Sequence, residues 1–400
     1  MLNPQTSRST EPVALTSAAG LRVALFSGNY NCTCDGSNRA LNKLVGHLLE
    51  HGADVRVYSP TSSRPAFDPV GELVSVPSIP IPGRSEFRVA LGLPTKIADD
   101  VRAFAPNLVH VSAPDWLGTR AQKLARELAV PLVASMHTKF ETYFEYYGLR
   151  FLHDWAVGRQ LRFYCSSDRV LVPNAPSGQH LIDMGVPANR IGIWSRGVEH
   201  QLFNPSRRDR AWRRSLGYLD DDVVLLFFGR IVREKGTAQF AETVAELRAR
   251  GFNVRPLVVG EGPARAEMKT LIDNAVFLGH LAGEELGRAI ASADILLNPS
   301  LTEAFGNVNL EAMAAGLCVI SADVGSASAI ITSGKDGLLV NADADSYAST
   351  VFRLANDDRW RRRLARNALA TAQSYRWPGV LNEVVQAYRE LTQIQINRSI

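Results

Sequence analysis

Short apolar runs alternate with amphipathic stretches along most of this chain, in two series separated by a charged segment. The apolar runs are 21–27, 53–60, 107–113, 131–137, 169–174 and 190–198 in the first series, and 222–230, 254–260, 275–279, 294–300, 317–321 and 337–340 in the second. Strands that alternate with helical patterns form parallel, doubly wound sheets, because each parallel connection needs a crossover. The separating segment, 200–217, has little apolar periodicity. The sequence therefore predicts an α/β protein with two Rossmann-like, doubly wound domains facing a central cleft.

Length and composition agree with two globular domains and argue against several other classes. The chain has 400 residues, 46% apolar and 21% charged, which is typical of packed globular proteins. The longest apolar runs, such as 223–228, are far shorter than the roughly 20 residues that cross a bilayer. Residues 1–20 are polar and irregular, which argues against a secretory signal peptide and predicts a loose tail. The expected domains are 21–203 and 204–375, followed by a helical segment 376–400.

Charge and cysteine content argue against two further classes. The chain carries 44 basic and 40 acidic residues, a net charge of +4, and so lacks the strongly basic character that nucleic-acid binding needs. The cysteines form neither a disulfide framework nor a Cys-x2-Cys zinc spacing. No cluster of Cys, His and Asp has metal-ligand spacing, so neither a metal nor another cofactor is expected. A protein of the reducing cytoplasm is predicted.

The loop after the run 294–300 is the most unusual in the sequence. Loops that follow the strands of a parallel sheet lie at its ligand-binding edge. In the segment LTEAFGNVNLEAMAAG, Asn307 is a candidate N-cap for a helix that ends at Gly316. Gly306 lets a ligand approach the free N–H groups and the positive end of this helix. The segment is therefore a candidate phosphate site.

Two carboxylates, Glu303 and Glu311, lie on either side of this helix start. Carboxylates repel phosphate but accept hydrogen bonds from the hydroxyls of sugars and ribose. The helix dipole alone would favour an acid near a helix N-terminus, so Glu311 by itself has a structural explanation. As a pair around Gly306 and Asn307, the two acids indicate a nucleotide sugar.

Two further loops of the second series carry candidate ligand groups. The first, GRIVREKG, offers Arg230, Arg233 and Lys235 at the end of a buried strand, where cations stabilise a departing diphosphate. Any one of these residues alone is better explained as part of a solvated charged turn, but the whole set is not. The second loop, VVGEGP, adds Gly260 and Gly262 as a weaker signal.

The segments GRIVREKG, VVGEGP, VFLGHL, ASADILLNPS and TEAFGNVNLEAMAAG have the order and spacing of family 4 glycosyltransferases, which the chain resembles over roughly residues 21–391. Glu303 and Glu311 resemble the Glu-x7-Glu motif of that family. The closing segment SYRWPGVLNEVVQAYREL is similar to the family's C-terminal helix, which returns to the first domain. The resemblance implies the GT-B fold and an enzyme that transfers a sugar from a nucleotide diphosphate sugar with retention of its anomeric configuration.

The resemblance also implies roles for individual residues. Arg230 and Lys235 would bind the diphosphate, Glu303 the donor sugar and Glu311 the ribose. The implied catalytic residues are His137, Arg230, Lys235 and Glu303. The implied donor-binding residues are Gly36, Ser37, Gly229, Arg230, Lys235, Gly260, Gly262, Leu281, Glu303, Phe305, Gly306, Asn307, Val308 and Glu311.

The first series resembles a subgroup that glycosylates membrane lipids and includes mannosyl- and sulfoquinovosyltransferases. The segment SMHTKFETYFEYYGL is similar to the His-Thr-x-Phe…Tyr-Gly-Leu stretch of that subgroup, and His137 stands at its strand end. Lys139 and Glu141 depart from the subgroup's pattern. The loop CDGSNRALNKL resembles the subgroup's first glycine loop, which implies that Gly36 and Ser37 lie near the reacting sugar.

A lipid acceptor and reversible binding to the inner face of the cytoplasmic membrane are also expected. The stretch 140–165 interleaves aromatic residues with arginines, which suits the headgroup region of a bilayer. Because acids are interleaved as well, the aromatics are equally well explained as core residues of the first domain.

Other functions remain open on the sequence alone. A sugar-nucleotide epimerase of the same fold would use similar contacts but needs acid and base carboxylates from both domains. A phosphorylase of related fold needs pyridoxal phosphate, and an inactive binding protein would not need the full set of charged donor-site residues. A transferase acting on a soluble sugar or polyol is a further alternative. For a transferase, a metal-free mechanism is expected, because two cations neutralise a diphosphate without magnesium and the leaving phosphate takes the acceptor's proton.

Overall fold

A computed structural model of the chain describes residues 16–33, 35–81, 84–137, 153–272 and 274–398. The described residues form two compact units, unit 1 with residues 16–196 and 377–398 and unit 2 with Gly197–Arg376. The sequence placed the first boundary between residues 203 and 204, whereas residues 197–203 belong to unit 2.

Unit 1 contains a parallel sheet and an antiparallel ribbon. The sheet strands are β1 (Arg22–Phe26), β2 (Asp54–Ser59), β3 (Glu72–Ser75), β6 (Leu108–Val111), β7 (Leu132–Ser135), β8 (Arg169–Val172) and β9 (Ile191–Ile193), and the ribbon strands are β4 (Ser78–Ile81) and β5 (Arg84–Ala90). The sheet order is β3-β2-β1-β6-β7-β8-β9, with all neighbours parallel. The order reverses between β1 and β6, so the ligand-binding edge of this unit lies where these two strands end.

Helices cover both faces of this sheet. They are α1 (Gly36–Glu50), α2 (Thr95–Phe104), α3 (Trp116–Glu127), α4 (His153–Cys165), α5 (Ala175–Asp183) and the C-terminal helix (Trp377–Arg398). Along β1, Leu25 packs in the core cluster that includes α1 and the C-terminal helix, and Phe26 packs in the cluster that includes α3. Successive strand residues therefore point to two buried faces, which is why the run is apolar throughout.

The start of unit 1 differs from the expectation, and several of its elements were not predicted. Helix α1 begins at Gly36 because the Asp35 side chain accepts from the N–H groups of Ser37 and Asn38. The loose tail was expected to include residues 16–20, yet Ala18 is buried and its N–H donates to the carbonyl of His51 at 2.9 Å. Residues 140–152 of the aromatic stretch 140–165 lie outside the described residues, and residues 153–165 form α4. The ribbon and helices α2 and α5 were not predicted.

Unit 2 contains a parallel sheet of the same kind. Its strands are β10 (Val224–Phe228), β11 (Arg255–Val259), β12 (Val276–Gly279), β13 (Ile295–Asn298), β14 (Cys318–Ala322) and β15 (Leu338–Val340). Its helices are α6 (Arg210–Ser215), α7 (Thr237–Ala249), α8 (Arg265–Leu271), α9 (Gly283–Ala291), α10 (Asn307–Ala314), α11 (Gly325–Ser328), α12 (Ala344–Asn356) and α13 (Asp358–Ala372). The sheet order is β12-β11-β10-β13-β14-β15. It reverses between β10 and β13, so loops 229–236 and 299–306 lie at the switch point, where ligands of such sheets bind.

The charged segment 200–217, expected to be a break, is a packed part of unit 2. It contains a 3₁₀ turn (Pro205–Arg207) and α6. The Arg213 guanidinium, only 2% exposed, donates to Asp294 at 2.9 Å and to the carbonyl oxygens of Ser292 and Asp222, both at 2.8 Å. The segment is therefore held to unit 2 by a buried arginine, although it lacks apolar periodicity.

Among the described helices, none is both long and apolar enough to cross a membrane.

We predict that Asp294→Ala destabilises the protein by about 3–5 kcal/mol, because it leaves the buried Arg213 charge without its carboxylate. Equilibrium urea unfolding of the full chain, followed by fluorescence and circular dichroism, measures this loss. Asp220→Ala is the matched control, since it removes an aspartate that pairs with the exposed Arg214. A loss as small for Asp294→Ala as for the control would contradict the role given to Arg213.

Candidate active site

The two loops at the switch point of unit 2 enclose a cavity of about 140 Å³. It is lined by Phe227, Phe228, Gly229, Arg230, Lys235, Leu297, Asn298, Glu303, Asn307 and Val308. The loops meet because they follow β10 and β13, which pair in parallel with Leu225 opposite Ile295. Six of the predicted site residues therefore line one cavity within unit 2.

An ion pair joins the two loops inside this site. The Lys235 ammonium donates to Glu303 at 2.6 Å, and both side chains are largely buried. The resemblance implies separate ligands for these two residues, the diphosphate for Lys235 and the donor sugar for Glu303. Because an ammonium has three donors, Lys235 can keep Glu303 in place while it also binds a phosphate oxygen.

The three cations of loop 229–236 are not equivalent. Arg230 lines the cavity and makes no ion pair with any described residue. Arg233 is 80% exposed and pairs with Glu267 at 2.9 Å, and it does not line the cavity. Arg230 and Lys235 are therefore the cations of this loop that the structure makes available to a ligand.

Gly260 and Gly262 do not line the cavity but allow its neighbouring loop to pack closely. A Cβ on Gly260 would lie 1.8 Å from the carbonyl oxygen of Gly229, and one on Gly262 would lie 2.2 Å from that of Ile231. The Ile231 N–H donates to the carbonyl of Glu261 at 2.9 Å. The structure therefore gives both glycines a packing reason, beside the donor-binding role that the resemblance implies.

Helix α10 presents its N-terminus to the cavity, although its first residues differ from the prediction. Asn307 was expected to be the N-cap, whereas Gly306 occupies that position with φ +90° and Asn307 is the first helical residue. No side chain caps the helix, and its first two residues, Asn307 and Val308, line the cavity. Gly316 follows the helix with φ +81°, as expected for a residue that ends it.

The remaining predicted residues of unit 2, Glu311, Phe305 and Leu281, do not line the cavity. Glu311 is half-buried and lies four residues after Asn307, on the same face of α10. Phe305 is buried, with its ring 6.3 Å from that of Tyr375. Leu281 is partly buried against the core cluster that contains Phe305 and Tyr375.

Sequence reasoning missed a buried polar link that holds α10 to the sheet. The Asn298 amide donates to the side-chain oxygen of Asn309 at 2.9 Å, and the Asn309 amide donates to Ser321 at 3.2 Å. All three side chains are buried. The available signal was an asparagine at the end of the apolar run DILLN and another inside an otherwise apolar helix.

In unit 1, Gly36 and Ser37 form the first turn of α1. The N–H and the hydroxyl of Ser37 both donate to Asp35, at 3.0 Å and 2.5 Å. The polar groups of Ser37 are therefore engaged within the loop, and Asp35 is the capping residue that the sequence analysis missed.

A second missed residue, Asp115, lies at the ligand-binding edge of unit 1. It caps α3 by accepting from the Gly118 N–H at 2.7 Å, and burial raises its pKa to about 6. A Cβ on Gly28 would lie 2.5 Å from its carboxylate, so the loops after β1 and β6 meet here. A Pro-Asp pair directly after an apolar run was the signal for it.

His137 is part of a buried hydrogen-bond network in unit 1. Arg196 donates to Nδ1 of His137 at 2.8 Å. The Ser135 hydroxyl lies 2.9 Å from Nε2 of His137 and 2.9 Å from Nε2 of His110. Nδ1 of His110 hydrogen-bonds the hydroxyl of Tyr388 on the C-terminal helix.

The arginine fixes the protonation of this network. Because a guanidinium only donates, Nδ1 of His137 accepts, and the neutral ring carries its proton on Nε2. That proton is donated to Ser135, whose own hydroxyl then donates to His110. Both ring nitrogens of His137 are engaged within the protein and orient the ring, and the catalytic role that the resemblance implies for it stays a prediction.

Both histidines of the network are held neutral. Burial lowers the pKa of His110 to about 3. Burial lowers the pKa of His137 well below its usual value, and the charge of Arg196 lowers it further. Arg196 is itself buried, which lowers its pKa to about 10, and it makes no ion pair with a described carboxylate.

We predict that acid destabilises unit 1 below about pH 6.5, the ordinary pKa of histidine. Between pH 6.5 and the lowered pKa values, the unfolded chain binds protons that the folded chain excludes. For each such histidine, the free energy of unfolding therefore decreases by about 1.4 kcal/mol for every pH unit by which the pH is lowered. Urea unfolding at several values between pH 7.5 and pH 5 measures the slope. His137→Gln should reduce the slope by about one proton, and an unchanged slope would show that His137 is not held neutral.

A two-unit α/β fold of parallel sheets, with a cationic and carboxylate-lined cavity at the switch point of the second unit, defines a nucleotide-sugar-dependent glycosyltransferase of the GT-B fold. Residues 34–202 match the family described as Glycosyltransferase Family 4, and residues 222–357 match Glycosyl transferases group 1. The chain belongs to glycosyltransferase family 4, which confirms the resemblance and the enzyme class.

The chain is similar to curated relatives and to solved structures along almost its whole length. It is 31% identical to a GDP-mannose-dependent alpha-mannosyltransferase of Mycolicibacterium smegmatis, over 92% of this chain and 97% of that relative. It is 29% identical to a sulfoquinovosyl transferase of Arabidopsis thaliana, over 91% of this chain and 72% of that relative. The crystal structure of Anabaena HepE in complex with UDP has the same fold, with a TM-score of 0.74 at 17% identity, covering 93% of this chain and all of that one.

Proposed function

We propose that this enzyme is a retaining glycosyltransferase that moves a hexose-type sugar from a UDP- or GDP-linked donor to a membrane lipid, in glycolipid synthesis. The observation that carries the donor assignment is the cavity in unit 2, where Arg230, Lys235 and Glu303 meet the uncapped start of α10. Cations and a helix N-terminus suit a diphosphate, and the carboxylate suits sugar hydroxyls.

The proposed chemistry uses this arrangement for charge that develops in the transition state. The glycosidic bond loosens to an oxocarbenium-like state, and negative charge accumulates on the departing diphosphate. Arg230 and Lys235 stabilise that charge, together with the N–H groups of Asn307 and Val308. Glu303 accepts from a donor-sugar hydroxyl, and Glu311 accepts from the ribose. The leaving phosphate takes the acceptor's proton on the same face of the sugar, so neither a protein base nor a metal takes part.

The proposal specifies the diphosphate of the donor nucleotide but not its base. The mannosyltransferase relatives are described as GDP-mannose-dependent, and the Anabaena neighbour was solved with UDP. The described cavity residues supply groups for phosphate and sugar, which both nucleotides share. Incubation with a panel of UDP-, GDP- and ADP-sugars therefore decides the base.

The lipid acceptor is supported by the resemblance of the first series to lipid-glycosylating transferases. Most of the aromatic stretch 140–165 lies outside the described residues, and its described part forms α4. Phe163 and Tyr164 are buried in unit 1, which agrees with the core interpretation for these two rings. Peripheral binding to the inner face of the cytoplasmic membrane thus remains a proposal that depends on the acceptor.

One experiment tests donor and acceptor together. The purified protein is incubated with each nucleotide sugar plus a total lipid extract, and in parallel with soluble sugars and polyols, and the products are analysed by mass spectrometry. A new glycolipid with its anomeric configuration retained supports the proposal. A product on a soluble acceptor alone overturns the lipid acceptor, and interconversion of the donor sugar without any acceptor identifies an epimerase instead.

We predict that Arg230→Ala and Lys235→Ala each lower kcat/KM by about 100-fold or more, because each removes stabilisation of the leaving group's charge. Steady-state kinetics with the donor identified by the panel measure the loss. Arg233→Ala is the matched control from the same loop and should retain near-normal turnover. Activity should also survive EDTA. Folded Arg230 and Lys235 variants with normal turnover would remove the diphosphate assignment.

A further inference from the structure

The last turn of α1 brings together three potential metal ligands that the sequence analysis did not recognise. His47, Glu50 and His51 follow the pattern His-x-x-Glu-His, which places them on one face of the helix. A ring nitrogen of each histidine and a carboxylate oxygen of Glu50 all lie within 4.8 Å of one another. The centroids of the His47 and His51 rings are 4.1 Å apart.

His47 lacks a partner that a cation would supply. Its side chain is 6% exposed, and its Nε2 is buried without a hydrogen-bond partner among the described residues. Buried polar groups in folded proteins are almost always paired, so an unpaired imidazole nitrogen beside two other ligands needs an explanation.

His51 is already oriented as metal-binding histidines are. Its Nδ1 lies 2.7 Å from the carbonyl oxygen of His47, to which it donates. A backbone bond of this kind fixes the tautomer and leaves the lone pair of Nε2 for a metal. The carbonyl ends of the helix are nearby, and a positive charge is favourable at that end of a helix.

We propose that His47, Glu50 and His51 form a binding site for a divalent transition-metal ion, with Zn²⁺ as the best match. Two imidazoles and one carboxylate are ligands that Zn²⁺ accepts, and water would complete a four-coordinate shell. Because α1 begins at the ligand-binding edge of its sheet and ends at the opposite edge, this site is separate from Gly36 and Ser37. The bound ion would stabilise the last turn of α1 and would take no part in sugar transfer.

Metal binding to the full-length, untagged protein tests the proposal. Titration calorimetry with Zn²⁺ and the absorption spectrum of the Co²⁺ form should show one ion per chain, and Zn²⁺ should raise the melting temperature. His51→Ala, at a half-buried position, should weaken binding at least tenfold. Glu50→Gln changes an exposed side chain, so it keeps the test valid if His51→Ala fails to fold, and it should weaken binding less.

His180→Ala is the matched control, because it removes a half-buried histidine of α5 in the same unit that belongs to no such cluster among the described residues. It should bind Zn²⁺ like the unchanged protein. The absence of Zn²⁺ binding, or equal affinity in His51→Ala and the unchanged protein, overturns the proposal. Transfer activity should be the same with and without Zn²⁺, and a strict requirement for the ion would contradict the separation of the two sites.

Discussion

The hydrogen bond between Asn298 and Asn309 is the interaction on which the site in unit 2 depends. It joins the end of β13 to the first turns of α10, and the bond from Asn309 to Ser321 extends the link to β14. All three groups are buried, so loss of one partner leaves the others unsatisfied at a cost of about 1–3 kcal/mol. A helix fixed in this way keeps the N–H groups of Asn307 and Val308 directed at the cavity before any ligand binds, which is the preorganisation that charge stabilisation requires.

The second constraint is the close approach of the loops around β10. Gly260 and Gly262 have no side chain where one would collide with the carbonyl oxygens of Gly229 and Ile231. The packed loop then holds Lys235 where it reaches Glu303 on the neighbouring loop. An ion pair between loops costs desolvation, yet here it positions a cation and an acceptor side by side, as a diphosphate bonded to a sugar would need.

Much of the fold followed from sequence, because strands buried on both faces read as continuous apolar runs, as β1 and β10 do. What was missed lacks such a run: the ribbon β4–β5, where Pro80 interrupts a half-exposed strand, and α6, which is held by Arg213. The cationic and acidic residues of the site were found because parallel strands end at one edge. Side-chain pairing across distant segments, such as Arg196 with His137, leaves no local pattern, and the engagement of both His137 nitrogens was therefore invisible.

A chain of hydrogen bonds in unit 1 runs from Arg196 to Tyr388 on the C-terminal helix. A buried guanidinium with neutral acceptors carries a desolvation cost, and its charge adds to the burial that keeps a proton off His137. The neutral ring in turn gives the hydrogen bonds one direction, from His137 through Ser135 and His110 to Tyr388. Burial raises the pKa of Tyr388, so its hydroxyl keeps its proton. The hydrogen-bond chain that begins at the end of β7 thus ends on the C-terminal helix, which packs in the same core cluster as β1 and α1.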